Sequence, residues 1–209
     1  MGARAVTPRW RPRLVMMVRL PAMGRVKTRL ARGVGAVAAA AFYRRSTSGL
    51  VARLGTDPRW QLTLAVTPDR SAASGFWTHQ IPRVGQGRGD LGQRMQRLFD
   101  RLPPGPVVII GSDSPSIRPA HISRAFRALG NADAVLGPAP DGGYWLVGLK
   151  RFPNVPRAFA GVRWSSATTL ADTIAALGPG HRLALIDTLD DIDEPADLTR
   201  DRGRHARRI

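Results

Sequence analysis

The sequence predicts a single α/β domain with a mostly parallel sheet that is covered by helices on both faces. Short apolar segments that end at proline or glycine alternate with longer amphipathic segments, and this alternation is typical of α/β folds. The chain has 209 residues, which is enough for one continuous hydrophobic core. We expect residues 14–200 to form the domain, between a basic N-terminal arm (1–13) and a basic C-terminal tail (201–209).

Two segments are typical of buried strands. LVMMVRL, at 14–20, is a compact apolar run closed by Pro21, and PVVII, at 106–110, is rich in β-branched residues and ends at Gly111. Because ligands of parallel sheets bind at the carboxyl ends of the strands, the loops after these strands are the expected site. The remaining predicted strands are 61–66, 132–136, 144–149 and 182–186.

Helices are predicted between the strands. In the best-defined one, Asp90 caps the first turn, and the apolar residues after it fall on a single stripe typical of a helix that packs on a core. That stripe consists of Leu91, Met95, Leu98, Phe99 and Leu102. The predicted helices are 34–54, 91–102, 120–129, 166–177 and 195–200.

The chain is strongly basic, with a formal net charge of +17 at pH 7. Of its 32 basic residues only Lys27 and Lys150 are lysine. A polyanionic partner would explain this charge, but arginine drift in a GC-rich gene explains the scattered residues more simply. Binding to nucleic acid is therefore the less favoured interpretation.

Composition also excludes some classes of protein and site. No run approaches the ~20 apolar residues of a membrane span, and the N-terminal residues lack the pattern of a signal peptide, so we expect a soluble protein without a membrane span. The absence of cysteine excludes disulfides and thiolate metal sites and is compatible with the cytoplasm. The sequence does not indicate an oligomeric state.

The loop after the first strand, PAMGRVKTRL, combines glycine with several cations. Gly24 would allow the backbone to approach an anion closely, Lys27 offers a point charge, and Arg25 and Arg29 offer planar forks that suit phosphate. The spacing is not that of a Walker loop. A basic surface turn is the alternative that this loop leaves open.

The loop after the 106–110 strand is GSDSP, in which Asp113 is the only carboxylate. A carboxylate at the end of a buried strand and opposite a phosphate loop can hold Mg²⁺, which takes few protein carboxylates and completes its octahedron with phosphate oxygens and water. Ser112 and Ser114 could orient it. A helix cap is the alternative, although the residues 115–119 before the next helix disfavour it.

Two later segments carry the other candidate residues. GPAPDGGYWLVGL places Asp141 and two glycines before a predicted strand, where they could contact sugar hydroxyls or simply form a hairpin turn. TLDDIDEPADL carries Asp190, Asp191, Asp193 and Glu194. These acids would repel one another unless a cation lies among them, so we expect a metal contact or an arginine pair; some of the acidity could also serve the first turn of the last helix.

These motifs, in this order, resemble the nucleotide-diphospho-sugar transferase (GT-A) superfamily. The resemblance is closest to small bacterial glycosyltransferase-like proteins associated with radical-SAM and selenium-domain proteins, and more distant to the guanylyltransferases of molybdopterin and phospholactate metabolism. It extends over residues 14–198 and implies a three-layer, Rossmann-like GT-A fold. The motifs are GRVKTRL, QGRGDLGQRM, GSDSP, GPAPDGGYWLVGL, VRWSSATT and DTLDDIDEPADL.

The resemblance also implies roles for individual residues. Asp113 would hold Mg²⁺ or Mn²⁺, with Asp193 or Asp191 as a second ligand, and Lys27, Asp113 and Asp141 would be catalytic. The nucleotide would contact Gly24, Arg25, Lys27, Arg29, Gln86, Gly87 and Asp90, and the sugar or acceptor would contact Gly142, Gly143, Tyr144, Trp164 and Ser165. Unlike many glycosyltransferases, the chain has one aspartate at GSDSP rather than an Asp-x-Asp pair.

Three functions remain open at this point. The expected activity is glycosyl transfer from a nucleotide-diphospho-sugar to a small acceptor. Nucleotidyl transfer from a nucleoside triphosphate to a phosphorylated acceptor, with release of pyrophosphate, is the alternative that the basic first loop also suits. A nucleic-acid-binding module is the alternative from another class, although the sequence has no helix-turn-helix, RRM or OB-fold motif.

Overall fold

The computed structural model describes residues 11–77, 80–151 and 154–197. These residues form one seven-stranded sheet in the order β3-β2-β1-β4-β6-β5-β7. The strands are β1 (Arg13–Arg19), β2 (Gln61–Thr67), β3 (Arg83–Gly85), β4 (Val107–Ile110), β5 (Ala134–Pro138), β6 (Tyr144–Leu149) and β7 (Leu183–Leu185). Only β6 runs antiparallel to its neighbours in the described part of the chain, so the predicted mostly parallel mixed sheet is confirmed.

Helices cover both faces of the sheet. They are α1 (Thr28–Val34), α2 (Ala36–Gly55), α3 (Leu91–Arg101), α4 (Pro119–Asn131) and α5 (Thr169–Leu177), and a 3₁₀ turn covers Asp69–Ala73. Apolar residues of α2 and α4 pack on one face of the sheet, whereas those of α3 and α5 pack on the other. The result is the three-layer arrangement that was expected. None of the helices in the described residues has the length and apolar content of a membrane span.

The centre of the sheet follows directly from its sequence. All four residues of β4 are buried, and Leu14, Val15 and Met16 of β1 are fully buried. Strands that carry apolar side chains on both faces are stable only between two covering layers, which explains why β1 and β4 are neighbours in the middle. Their carboxyl ends therefore lie side by side.

Several predicted bounds are wrong. The first helix was predicted over residues 34–54, but helix α1 begins at Thr28, and a kink at Gly35, with φ +84°, separates α1 from α2. The short edge strand β3 was not predicted, because three residues carry too little pattern. Leu91, expected on the buried stripe of α3, is 42% exposed.

The chain termini were predicted as basic arms. Residues 1–10 and 201–209 lie outside the described residues, as does the end of the predicted helix 195–200. Pro195, Ala196 and Asp197 are helical, as predicted for the start of that helix.

Candidate active site

The site is built at the carboxyl ends of β1 and β4. The loop that follows β1 carries Lys27, and the loop that follows β4 carries Asp113. A third segment, after β7, brings Asp193 to the same place, and the backbone N–H of Ile192 donates to the carbonyl oxygen of Asp113 at 3.0 Å. Residues far apart in the sequence therefore converge at one edge of the sheet.

Lys27 lies between the two carboxylates. Its Nζ is 2.6 Å from Oδ1 of Asp113 and 2.6 Å from Oδ1 of Asp193, and its side chain is only 5% exposed. Burial by itself would lower the pKa of Lys27, but the two adjacent carboxylates outweigh burial and raise that pKa. Lys27 is therefore a buried ammonium ion held by two acids.

Lys27 was predicted to meet phosphates, and the acidic segment was expected to contact a metal or pair with an arginine. The structure shows instead that a lysine pairs with that segment. Lys27 also has an unusual backbone, with φ +48° at the residue that caps α1. A non-glycine residue in this left-handed region is strained and is often found at functional sites.

Further carboxylates surround this ion pair. Asp191 accepts a hydrogen bond from the Ser114 hydroxyl at 2.8 Å. Burial, together with the charges of Asp113, Asp141 and Asp193, raises the pKa of Asp191 to about 6, although the bond from Ser114 opposes that rise. Four carboxylates therefore lie near one another at this site, two of them paired with Lys27, in a chain that is otherwise strongly basic.

A cavity of about 240 Å³ extends from these acids between the sheet and α3. Its polar end includes Ser112, Asp113, Ser114 and Asp191, and no described lining residue is lysine, arginine or histidine. Its walls are mainly apolar and are formed by Met17, Leu91, Met95, Ile109, Tyr144 and Val147. The exposure of Leu91 has its reason here, because this side chain lines the cavity instead of packing into the core.

The carboxylates of the site supply part of a coordination shell for the expected magnesium ion. In the described parts of the chain no three histidine, cysteine, aspartate or glutamate side chains converge as an all-protein metal cage. Mg²⁺, however, commonly takes one or two carboxylates and completes its shell with phosphate oxygens and water. Asp113 and Asp193 share a single cationic neighbour and supply hard oxygen ligands, so the residues fit an ion that binds together with phosphates.

The predicted phosphate loop has room for a ligand. Gly24 has φ +71°, and a Cβ placed on it would meet nothing within 4 Å. Arg25 is exposed in the same loop, and Arg29 is exposed in the first turn of α1. The loop thus presents cations and an uncrowded backbone beside Lys27, which is the arrangement that the prediction needs.

The other predicted nucleotide contacts follow β3. The Gln86 side-chain amide is buried and donates to the carbonyl oxygens of Val18 and Ala65 at 3.1 and 2.8 Å. The Gly87 N–H donates to Asp69 Oδ1 at 3.0 Å, and Asp90 caps α3 by accepting from the Gln93 N–H at 2.7 Å, as predicted. These bonds fix the loop after β3 beside β1, and the contact of this loop with a nucleotide stays a prediction.

The predicted acceptor residues lie in two connected segments. Asp141, Gly142 and Gly143 form part of the hairpin that joins β5 to β6, so the hairpin that the sequence left open is present. The Gly143 N–H donates to Asp141 Oδ1 at 2.9 Å. Gly142 is so close to the second segment that a Cβ on it would lie 2.0 Å from the carbonyl oxygen of Ala167.

The second segment contains Trp164 and Ser165. Trp164 packs against the first turn of α3, where a Cβ at Gly92 would lie 2.6 Å from the indole ring, and its ring centroid is 6.5 Å from that of Tyr144. Ser165 is exposed and has φ +57°, in the left-handed region. The segment therefore connects the predicted nucleotide side of the site with the predicted acceptor side.

Sequence reasoning missed Tyr43. Its hydroxyl accepts from the Arg19 N–H at 2.9 Å and lies 3.2 Å from the Ser112 hydroxyl, so it joins the end of β1 to the loop that carries Asp113. The sequence does contain a pattern that could have identified Tyr43. It is the one phenol on the buried side of α2, where the other buried residues are alanine, threonine and leucine.

Comparisons with known proteins agree with this architecture. A family model described as an uncharacterized protein conserved in bacteria (DUF2064) matches residues 50–166. A candidate nucleotide-diphospho-sugar transferase from Desulfovibrio desulfuricans G20 has a similar structure, with 28% identity, a TM-score of 0.80, and coverage of 88% of this chain and 83% of that one. No curated protein is detectably similar in sequence.

More distant structures share the fold. A CMP:2-keto-3-deoxy-manno-octonic acid synthetase solved with CTP is 10% identical, with a TM-score of 0.56 over 96% of this chain and 100% of that one. A 4-diphosphocytidyl-2C-methyl-D-erythritol synthase from Anaerococcus prevotii DSM 20548 is 11% identical, with a TM-score of 0.56 over 93% of this chain and 96% of that one. The predicted GT-A-like fold, and the resemblance that implied it, are confirmed.

Proposed function

The chain belongs to the DUF2064 family of bacterial proteins, and from that premise we propose that it is a Mg²⁺-dependent transferase that uses a nucleotide-activated substrate. The observation that carries the proposal is the meeting of Lys27, Asp113 and Asp193 at the carboxyl edge of β1 and β4. Phosphoryl and glycosyl transfer need positioning and charge stabilisation more than covalent help from the protein. This edge supplies both acids and cations for that purpose.

Each residue then has a distinct task. Asp113 and Asp193 would hold the metal, and its positive charge would offset the negative charge of the nucleotide phosphates in the leaving group. Lys27 and Arg29 bind the phosphates and stabilise the negative charge that develops as the bond to the leaving group breaks. The loop after β3, with Gly87 and Asp90, contacts the base or ribose.

The acceptor side favours glycosyl transfer. The cavity beside Asp113 has apolar walls and two carboxylates, and its described lining has no cation. A phosphorylated acceptor would find no basic side chain in this lining, whereas an uncharged acceptor could place a hydroxyl near the acids. We therefore propose transfer of a sugar from a nucleotide-diphospho-sugar to a small uncharged acceptor, with Asp141, Gly142, Gly143 and Tyr144 near the sugar or acceptor.

Nucleotidyl transfer is the second candidate. The specific observation that favours it is the pair of exposed arginines next to Lys27 in the sequence, Arg25 in the loop and Arg29 in the first turn of α1, which together offer enough positive charge for a triphosphate. The two reactions differ in the product released, because glycosyl transfer releases a nucleoside diphosphate and nucleotidyl transfer releases pyrophosphate. Product analysis with each substrate class separates them.

A thermal-shift screen tests the proposal. Nucleoside triphosphates and nucleotide-diphospho-sugars are added with and without Mg²⁺, and at least one is expected to raise the melting temperature of the wild type, because a ligand that binds only the folded state stabilises it. Asp113→Asn should lose most of that Mg²⁺-dependent shift. The matched control is Asp100→Asn, which removes an exposed carboxylate paired with Arg157 away from the site. If no nucleotide stabilises the wild type, the proposal is wrong.

A further inference from the structure

Lys27 occupies the position that a metal ion would take between the two carboxylates. Its Nζ is 2.6 Å from Oδ1 of each of Asp113 and Asp193, and its side chain is only 5% exposed, whereas the side chains of the two aspartates are 46% and 42% exposed. In the proposed reaction the same lysine binds phosphate and the same carboxylates bind metal. The two arrangements cannot coexist, because one ammonium group cannot remain between the carboxylates while a divalent ion is bound by both.

The charge around Lys27 favours its replacement by a divalent cation, because the nearby negative charge exceeds the positive charge. Asp141 and Asp191 add their carboxylates to those of Asp113 and Asp193. Among the residues that the structure describes, Lys27 is the only basic side chain in an ion pair with these four acids. One positive charge leaves the cluster with an excess of negative charge, and a divalent cation would neutralise more of it than an ammonium group can.

We propose that Lys27 is a built-in counter-ion for Asp113 and Asp193, and that it yields this position to a divalent cation and turns to the phosphates when the nucleotide binds. This inference rests on the proposed function, since it assumes a nucleotide at the same edge. Before binding, Lys27 supplies the positive charge between two half-exposed carboxylates that would otherwise repel each other. After binding, its charge is transferred to the phosphates and the metal takes over the acids.

The exchange makes metal binding and phosphate binding depend on each other. Without phosphates, a metal ion must displace Lys27 and leave the ammonium group without an anion, so the nucleotide-free protein should bind metal weakly. With phosphates present, the displaced lysine gains a new partner. Lys27 therefore opposes metal binding in the empty site and assists it in the loaded one.

Calorimetric titration of Mn²⁺ into the nucleotide-free protein tests this directly. Lys27→Met keeps most of the side-chain volume but removes the charge, and it should bind Mn²⁺ about tenfold or more tightly than the wild type, because the carboxylates are released from their ion pair. Arg32→Met removes an exposed charge from the last turn of α1 and controls for general electrostatics; it should change the affinity by less than about twofold.

Two further variants keep the test decisive. Lys27→Arg retains the charge and should bind Mn²⁺ as weakly as the wild type. In the double variant Lys27→Met/Asp193→Asn the gain should disappear, because only one carboxylate of the pair remains. Circular dichroism confirms that each variant is folded, and if Lys27→Met does not fold, Lys27→Gln replaces it, because it also removes the charge and should bind Mn²⁺ more tightly than the wild type.

Failure of this inference can be distinguished from failure of the proposed function. If Lys27→Met binds Mn²⁺ no more tightly than the wild type while nucleotides still stabilise the wild type with Mg²⁺, the exchange is overturned and the transferase proposal stands. If Lys27→Met gains Mn²⁺ affinity but no nucleotide binds the wild type, the counter-ion role is supported, but the transfer of Lys27 to a nucleotide phosphate is overturned together with the proposed function.

Discussion

Tyr43 shows how much a single buried hydroxyl contributes to the arrangement of the site. It accepts from the Arg19 N–H at the end of β1 and lies 3.2 Å from Ser112 Oγ, and burial raises the pKa of its phenol so that it stays protonated. Since it accepts from Arg19, its own proton is available to Ser112. The loops that carry Lys27 and Asp113 are thereby tied to one another through α2.

Tyr43→Phe tests this connection. Loss of the hydroxyl leaves the Arg19 N–H without its acceptor, so the free energy of unfolding should fall by about 1–2 kcal/mol. Tyr144→Phe is the matched control. Among the described residues, the Tyr144 hydroxyl has a hydrogen bond only with the Thr173 hydroxyl, at 3.4 Å. That bond is weak, because the Thr173 hydroxyl also donates to the carbonyl oxygen of Thr169 at 2.8 Å. Urea unfolding measures both, and equal losses for the two variants would contradict the assigned role of Tyr43.

His121 makes stability depend on pH. Its Nδ1 accepts from the Arg118 N–H at 3.1 Å at the start of α4, which requires a neutral ring. Burial lowers the pKa of His121, and Arg124 and Arg118 add to this effect while Asp187 opposes it. The unfolded chain, with a histidine pKa of about 6.5, therefore binds the proton more readily than the folded protein does.

The sign of the effect follows from linkage. Stability is fully present above about pH 6.5 and decreases as the pH falls below that value, because protonation favours the unfolded chain. His121→Asn keeps an acceptor at this position without a titrating group. Urea unfolding at a series of pH values between about 7 and 5 should show a smaller loss for His121→Asn than for the wild type, and parallel curves would exclude this role for His121.

At the scale of elements, the important contact is that between the β5–β6 hairpin and the segment before α5. Gly142 has φ +83°, its carbonyl oxygen accepts from the Leu170 N–H at 2.9 Å, and there is no room for a side chain next to Ala167. The hairpin thereby fixes where α5 begins. The predicted start at residue 166 was three residues too early, because Ser166 and Thr168 hydrogen-bond to each other and Ser166 N–H donates to the side chain of Thr169, the first residue of α5.

Gly142→Ala should therefore cost both stability and activity. Alanine must adopt a left-handed backbone and also collide with Ala167 O, so the expected loss is about 3 kcal/mol or more. Gly161→Ala is the control, because Gly161 has φ +71° and open space around it, and it should cost only about 1–2 kcal/mol. Chemical unfolding measures the difference, and a loss at Gly142 no larger than at Gly161 would mean that the hairpin and the segment are not in close contact.

Strands and helices were predictable where their pattern is long. The bounds of β6 were predicted correctly, and those of β1, β2 and α3 to within a residue, because their apolar patterns are continuous or strongly periodic. Helix α1 was missed because its seven residues, TRLARGV, offer only Leu30 to the core. Its position depends on packing against the C-terminal segment, where a Cβ at Gly33 would lie 2.3 Å from the Pro195 ring.

At the scale of the whole molecule, the distribution of charge matters more than its sum. The net charge is +17, yet four carboxylates gather at the edge where ligands bind in such sheets. A nucleic-acid interface would need basic side chains and aromatic rings along a common groove. The acids at this edge favour instead a cation that binds together with a small phosphorylated ligand.

Binding to generic DNA should therefore be weak and purely electrostatic. A fluorescein-labelled single-stranded oligonucleotide is expected to bind measurably at about 50 mM salt and to lose that binding by about 200 mM. Filling the site with a nucleotide and Mg²⁺ should not displace the oligonucleotide, because the oligonucleotide contacts scattered arginines. Fluorescence anisotropy measures this, and tight binding at the higher salt that excludes nucleotides would overturn the proposed function in favour of a nucleic-acid-binding module.

The sequence by itself determined the fold class, the alternation of strands and helices, and the loops in which the site residues lie. Periodicity and strand-end chemistry are local properties, so they can be identified from neighbouring residues. The pairing of Lys27 with Asp113 and Asp193, and the connection through Tyr43, were decided only by the tertiary structure. Lys27 is 86 positions from Asp113 and 166 positions from Asp193 in the sequence, and Tyr43 is 69 positions from Ser112. These contacts form because β1 and β4 lie side by side and because the segment after β7 returns to their carboxyl ends.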